Sequence, residues 1–366
     1  MADGSIMRQL QHYLRRKKID ALIVSQPDNR RYLCGYSALN MDIAESSGIL
    51  LVFAKSDPVL LTDFRYLEHA QNDTKDLEIV LYQRGMLQTL SRLLIKFSVT
   101  TLAFEPYYYL QSEYIKLSTV CSDAHIDLIG FSDYILRKRQ QKSSDEIEAI
   151  QLSVSLNEQV FQDVYHTLRP GISELEVAIA IENAMRIAGA ERPSFDTIVA
   201  SGPNAALPHA VPTSRKIHAN EPVIIDMGLV HQGYCSDMTR TVVLGDIDTK
   251  TRSIFRLVRK AQLAATMALK PGVACRIIDK SAREVIVEGG YGHQFGHALG
   301  HGVGLAVHEA PSLNKRNSRL LKPGMVVTIE PGIYLPGWGG VRLENMAVIT
   351  DFGHHIFNHD DTFLNL

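Results

Sequence analysis

The chain has 366 residues, enough for two domains with separate hydrophobic cores. Its 38 basic and 40 acidic residues nearly cancel at a net charge of −2, which offers no basic field for nucleic acid and no acidic tail. The longest apolar runs fall far short of a bilayer span. Met1-Ala2-Asp3-Gly4-Ser5 lacks the basic and apolar regions of a leader, so a soluble, cytoplasmic protein is expected.

In chain order, the first 130 or so residues alternate apolar runs with helical patterns. Strands are expected over 21–25, 48–53, 59–62, 78–82, 101–104 and 126–129, the second and third joined by a Ser56-Asp57-Pro58 turn. Helical periodicity falls near 5–17, 64–71, 86–97 and 107–118, so the first domain, residues 1–136, reads as α/β around one sheet. Arg137-Lys138-Arg139-Gln140-Gln141-Lys142 follows, a polar basic stretch with little to bury, and is expected to be a solvated linker or helix end.

A second domain, residues 137–366, opens with two capping boxes, Ser143 with Glu146 and Ser173 with Glu176, each heading a helix. From there the chain repeats itself. Leu168-Arg169-Pro170-Gly171-Ile172 is echoed by Leu269-Lys270-Pro271-Gly272-Val273, and a helix follows each, ending at Gly189 and near Gly289-Gly290. Each copy then reaches an apolar strand ending in carboxylate-x-Gly: Ile225-Asp226-Met227-Gly228, and Ile329-Glu330-Pro331-Gly332. The duplication predicts a pseudo-twofold α+β domain, with helix pairs outside and two carboxylate hairpins facing each other inside.

Each hairpin returns with a second carboxylate, Asp237 in one and Glu344 in the other, and between them lies Gly300-His301-Gly302-Val303-Gly304. Four carboxylates brought together by strands would raise one another's pKa or repel, unless a cation neutralises them. Asp226, Asp237, His301, Glu330 and Glu344 therefore form the candidate ligand set for two divalent metal ions. Mostly hard oxygen with one nitrogen, it suits Mn²⁺ or Co²⁺ at least as well as Zn²⁺ and argues against a structural zinc. Two such ions would polarise a carbonyl and hold a tetrahedral oxyanion. Residues two apart in a strand share a face, which makes Thr239 and Arg342 supporting or substrate-contacting residues. The glycine-rich segment at His301 lacks the Lys-Ser/Thr of a phosphate loop. Cys34, Cys121, Cys235 and Cys275 fit neither a disulfide framework nor a zinc motif.

These segments, with Gly233-Tyr234-Cys235-Ser236-Asp237-Met238-Thr239-Arg240-Thr241, Val341-Arg342-Leu343-Glu344 and His308-Glu309, resemble the metallopeptidases that include aminopeptidase P, prolidase and methionine aminopeptidase. The resemblance covers roughly residues 140–350 and implies the pita-bread fold, with the five ligands above matching its dinuclear site. Asn29-Arg30-Arg31-Tyr32-Leu33-Cys34-Gly35-Tyr36 and Leu60-Leu61-Thr62-Asp63-Phe64-Arg65-Tyr66 resemble the extra N-terminal domain of prolidases, aminopeptidase P and creatinases. Methionine aminopeptidases lack that domain, and creatinases do not keep the ligands. The resemblance thus implies an exopeptidase that cleaves between an N-terminal residue and a following proline, either a dipeptidase or an aminopeptidase. It also implies that Glu330 is the general base, that His209 and His308 bind the oxyanion or shuttle protons, that His297 lines the substrate pocket, and that Arg342 reaches substrate. A homodimer is expected on the same ground. Asn345 departs from the family, whose members generally carry an acid there, and His293 reads as a surface residue. The competing function is a non-catalytic pita-bread module that binds other proteins.

Overall fold

The structure, a computed structural model, describes residues 4–40, 45–74, 77–131 and 133–360. Met1, Ala2 and Asp3 of the segment read for a leader lie outside them. The chain divides into two compact units, Met1–Lys138 and Arg139–Leu366.

The first unit is built on one six-stranded sheet. Its strands are β1 (Ala21–Val24), β2 (Ile49–Phe53), β3 (Val59–Thr62), β4 (Glu78–Leu81), β5 (Thr101–Phe104) and β6 (Asp127–Gly130), in the order β4-β3-β2-β1-β5-β6. Both faces are covered, which is why the central strands are apolar without interruption. Ala21, Ile23, Leu51 and Leu102 pack under α4 (Met86–Lys96) and α5 (Gln111–Asp123). Leu22, Val24, Leu50 and Ala103 face α1 (Gly4–Lys17), α2 (Pro27–Cys34) and α6 (Tyr134–Arg139). α3 (Leu67–Asp73) completes the set. The helix expected from residue 107 begins at Gln111, because Pro106–Tyr108 forms a separate 3-10 turn. Helix α2 was not anticipated. Pro27 opens it, Gln26 caps it by accepting from the Asn29 N–H at 2.7 Å, and Gly35 at φ 84° ends it.

The second unit carries the duplication. Helices α7 (Ser144–Tyr165) and α8 (Glu174–Ile187) each start in a reciprocal capping box, on Ser143 and on Ser173. α9 (Thr249–Ala268) and α10 (Cys275–Glu288) form the second pair. In both copies the helices are joined through a glycine at positive φ, Gly171 at 94° and Gly272 at 82°, the conformation that a Pro-Gly turn supplies.

The strands that follow are β7 (Arg192–Pro193), β8 (Ile198–Ser201), β9 (Pro222–Met227), β10 (Leu229–His231), β11 (Tyr234–Cys235), β12 (Met238–Val243), β13 (Gly300–Gly302), β14 (Glu309–Leu313), β15 (Val326–Ile329), β16 (Gly332–Leu335), β17 (Gly339–Arg342), β18 (Asn345–Ile349) and β19 (His354–Ile356). Two sheets correspond: β12-β9-β8 in the first copy, and the β13-β15-β18 part of a five-stranded sheet in the second. Between the paired strands each copy inserts a ribbon, β10–β11 or β16–β17. Val199, Val223 and Ile225 bury against α7 and α8, while Val327, Ile329, Ala347 and Ile349 bury against α9 and α10. Each of these valine and isoleucine side chains contributes about 1.5–3 kcal/mol. The period-two alternation then fixes the rest: with Ile225 turned to the helices, Asp226 takes the inner face.

The basic stretch is a helix end as expected, with α6 stopping at Arg139 and Arg137 exposed, but it is solvated only in part. Arg139, Gln140 and Lys142 are all buried, not solvated. Their polar ends have partners far along the chain: Gln140 accepts from Arg319 at 2.6 Å, and both cations meet Glu309.

Candidate metal centre

Five carboxylate and imidazole groups converge on the inner face. Asp226 lies in β9 and Asp237 just ahead of β12, in a hairpin whose register pairs Asp226 with Thr239. His301 is the middle residue of β13, Glu330 follows β15, and Glu344 precedes β18. Ligand atoms of Asp237, His301 and Glu344 all fall within 4.8 Å of one another. His301 Nε2 is 3.4 Å from Glu330 Oε1 and 3.6 Å from Asp237 Oδ2. Asp226 stands beside this group, with Oδ2 accepting from Arg342 at 2.6 Å and Oδ1 buried without a hydrogen-bond partner among the described residues.

The electrostatics are those of a site built for a cation. Burial first, then Glu344, Asp226 and Glu330, holds Asp237 well above the usual carboxylate range. Burial, with Glu330 and Asp226, does the same to Glu344. Glu330 is pushed up to about 8, mainly by burial and partly by Asp226, although Arg342 opposes the shift. Burial, aided by His308, pushes His301 down to about 4, so its ring is neutral. Its Nδ1 lies 3.1 Å from the Gly302 carbonyl, which places the ring proton there and leaves the Nε2 lone pair aimed at two carboxylate oxygens. At that distance the groups need either a proton held by a carboxyl or a cation between them, and a cation serves all of them at once. The orphaned Asp226 Oδ1 calls for one too. The five residues thus fit divalent ions.

Around them lies a supporting network. Thr239 Oγ1 donates to Glu344 Oε2 at 2.7 Å and accepts from Arg342 Nε at 3.1 Å. Thr328 Oγ1 donates to Glu330 at 3.2 Å and accepts from the His301 backbone N–H at 3.0 Å. Arg342 also donates from Nη1 to the Pro208 carbonyl at 3.1 Å and to the Tyr334 hydroxyl at 2.9 Å. Its side chain is 4 % exposed, and four of its five N–H groups are spent on internal partners. These contacts make Arg342 a strut that fixes Asp226 and the Pro208 carbonyl just ahead of His209.

His209 sits exposed on the loop before β9, and His308 on the loop between β13 and β14. The His308 ring packs on His301 with centroids 4.4 Å apart, and burial together with His209 lowers its pKa. His297 Nε2 meets the Tyr334 hydroxyl at 3.0 Å, and burial pushes its pKa down to about 4. His293 lies in an exposed 3-10 turn away from the cluster.

Tyr334, which joins His297 to Arg342, was missed from sequence. Its signal is Gly332, two residues earlier, where a Cβ would come within 2.5 Å of the tyrosine oxygen. Arg240 was missed as well: fully buried, it donates to the Glu344 carbonyl at 2.6 Å.

The duplicated fold and the buried carboxylate cluster meet in one class of enzyme: the chain belongs to metallopeptidase family M24, whose model matches residues 148–351. Residues 7–141 match the creatinase/prolidase N-terminal domain. Among curated proteins, the chain is similar to an Xaa-Pro dipeptidase of Pyrococcus furiosus, 35 % identical with 95 % of each chain covered. Among solved structures, it is similar to an Xaa-Pro dipeptidase from Bacillus anthracis, with a TM-score of 0.90 and 33 % identity over 98 % of each chain. It is also similar to an X-Pro aminopeptidase from Thermotoga maritima, with a TM-score of 0.86 and 33 % identity over 95 % of this chain and 98 % of that one.

Proposed function

We propose that the protein is a metal-dependent exopeptidase that hydrolyses the bond between an N-terminal residue and a following proline, with dipeptides as its favoured substrates. The observation that carries this reading is the buried cluster in which His301 Nε2 meets Glu330 and Asp237 oxygens at 3.4 and 3.6 Å, a nitrogen-and-carboxylate donor set suited to a cation. Asp226, Asp237, His301, Glu330 and Glu344 would hold two divalent ions, with Mn²⁺ or Co²⁺ favoured over Zn²⁺ by the oxygen-rich donor set. When bound, such ions supply the positive charge that offsets the carboxylates and polarises the scissile carbonyl.

The residues divide the remaining work. An X-Pro bond is a tertiary amide, so the leaving nitrogen carries no hydrogen and must receive a proton to depart. Glu330 is the proposed general base, taking a proton from the attacking water at its carboxylate and delivering it to the proline nitrogen. His209 and His308, on loops at the open edge of the cluster, would donate to the developing oxyanion. His297 lines the pocket from its Tyr334 hydrogen bond, and Thr239 steadies Glu344.

Residues 1–136 form the creatinase-like domain in this reading, and residues 137–366 the catalytic one. The four cysteines form no disulfide among the described residues, as suits a reducing cytoplasm. The homodimer rests on family resemblance, and sedimentation at micromolar concentration tests it. No helix among the described residues is long and apolar enough to cross a membrane. No observation favours the non-catalytic alternative. Turnover of Ala-Pro against Ala-Pro-Ala in the presence of Mn²⁺ tests the reading: hydrolysis of the dipeptide alone supports it. Strong cleavage of the tripeptide makes the enzyme an aminopeptidase, and cleavage of neither removes the proline specificity.

A further inference from the structure

His308 is exposed, and its ring has no hydrogen-bond partner among the described residues, only the edge of His301. Its position is therefore set by the path of its own backbone. The next residue decides that path. Glu309 is 7 % exposed in its side chain. Its Oε1 accepts from Arg139 Nη2 and from the Ala306 backbone N–H at 3.0 Å, and its Oε2 from Lys142 Nζ at 3.3 Å. Both cations are buried, at 3 % and 1 % exposure. Burial alone would raise the Glu309 pKa, but Lys142 and Arg139 hold it below the usual range, so the carboxylate stays ionised.

The loop between β13 and β14 closes onto this cluster. A Cβ on Gly304 would lie 3.0 Å from both Glu309 oxygens and from Lys142 Cε. The Gly304 carbonyl accepts from the Cys235 N–H at 2.8 Å, which ties the same loop to the hairpin of Asp237. The cations are anchored in turn: Lys142 donates its backbone N–H to the Gly324 carbonyl at 2.8 Å, and Gln140 accepts from Arg319 at 2.6 Å. Three buried charges are a poor way to gain stability, since apolar residues of similar volume do as well or better. What they do supply is one fixed conformation for a six-residue loop that carries a histidine held otherwise only by ring packing on His301.

We propose that Glu309, clamped between Arg139 and Lys142, is a positioning residue that holds His308 at the substrate. The catalytic half of this inference rests on the peptidase reading above, and the structural half does not. The test compares full-length, Mn²⁺-loaded wild type with E309Q, H308A, the E309Q/H308A double variant and K142M. Hydrolysis of Ala-Pro, bound manganese and amide hydrogen exchange are measured for each. In E309Q, exchange across residues 303–308 should rise about tenfold or more while β15 and β18 and the metal content stay unchanged. kcat should fall about tenfold with KM held within about threefold, and E309Q should add no further loss in the H308A background. If E309Q does not fold, K142M, which keeps the Arg139 pair, should show the same changes at smaller size. Unchanged loop exchange, or losses that multiply in the double variant, would overturn the proposal. Failure of the wild type to cleave Ala-Pro refutes the peptidase reading instead, and the exchange result still decides whether Glu309 holds the loop.

Discussion

Thr239 shows how closely the inner face is coupled at the level of one hydroxyl. It is fully buried and joins Glu344 to Arg342, which in turn holds Asp226. Replacing it with valine keeps the volume and removes both hydrogen bonds. T239V should lower metal affinity about 10–100-fold, read by titrating Mn²⁺ into the metal-free protein; unchanged affinity would make the hydroxyl a packing group. Glu330 has the larger role. E330Q should reduce kcat for Ala-Pro by about 10²-fold or more while the protein stays folded, a result read from steady-state kinetics beside circular dichroism.

The elements repeat, and the repeat is what made them readable. Ser143 and Ser173 head their helices with capping boxes because the signal is local: a hydroxyl, and a glutamate three residues on. S143A should cost about 1 kcal/mol, a fall of about 2–4 °C in the melting temperature of the second unit, measured by calorimetry. The two Pro-Gly turns and the two carboxylate strands were legible for the same reason, since each is written in a few adjacent residues. The stretch at 137–142 was not. Its charges read as solvated because their counter-charge, Glu309, lies 167 residues beyond Lys142, and only the tertiary fold brings them together. Tyr334 and Arg240 escaped likewise, since their partners come from other strands. Helix α2 escaped for a different reason: eight residues are too few to show a period, although Pro27 and Gly35 mark its ends.

At the scale of the whole molecule, the buried carboxylates make stability depend on metal and pH together. In the metal-free protein Glu330 is raised from 4.5 to about 8, and Asp237 and Glu344 are raised as well. A carboxyl whose folded pKa is raised binds its proton more tightly in the fold than in the unfolded chain. Its contribution is therefore complete below pH about 4.5 and lost as pH rises through 8. Below pH about 6.5 the depressed His297 and His301 slope the other way, so the melting temperature of the metal-free protein should fall by a few degrees between pH 6.5 and pH 8. With metal bound the sign reverses, because ligation favours the ionised carboxylates and acid expels the ion. Melting curves with and without Mn²⁺ across that range should slope in opposite directions; parallel curves would contradict the account.

The central claim is that one face of a duplicated fold holds a dinuclear metal centre. Calorimetric titration of the metal-free protein with Mn²⁺ at neutral pH tests it most directly. The account predicts two ions per chain, reduced by replacing Asp237 with Asn, with Ala-Pro hydrolysis appearing as the sites fill. A chain that binds no divalent ion, or that hydrolyses Ala-Pro equally well without one, would contradict it.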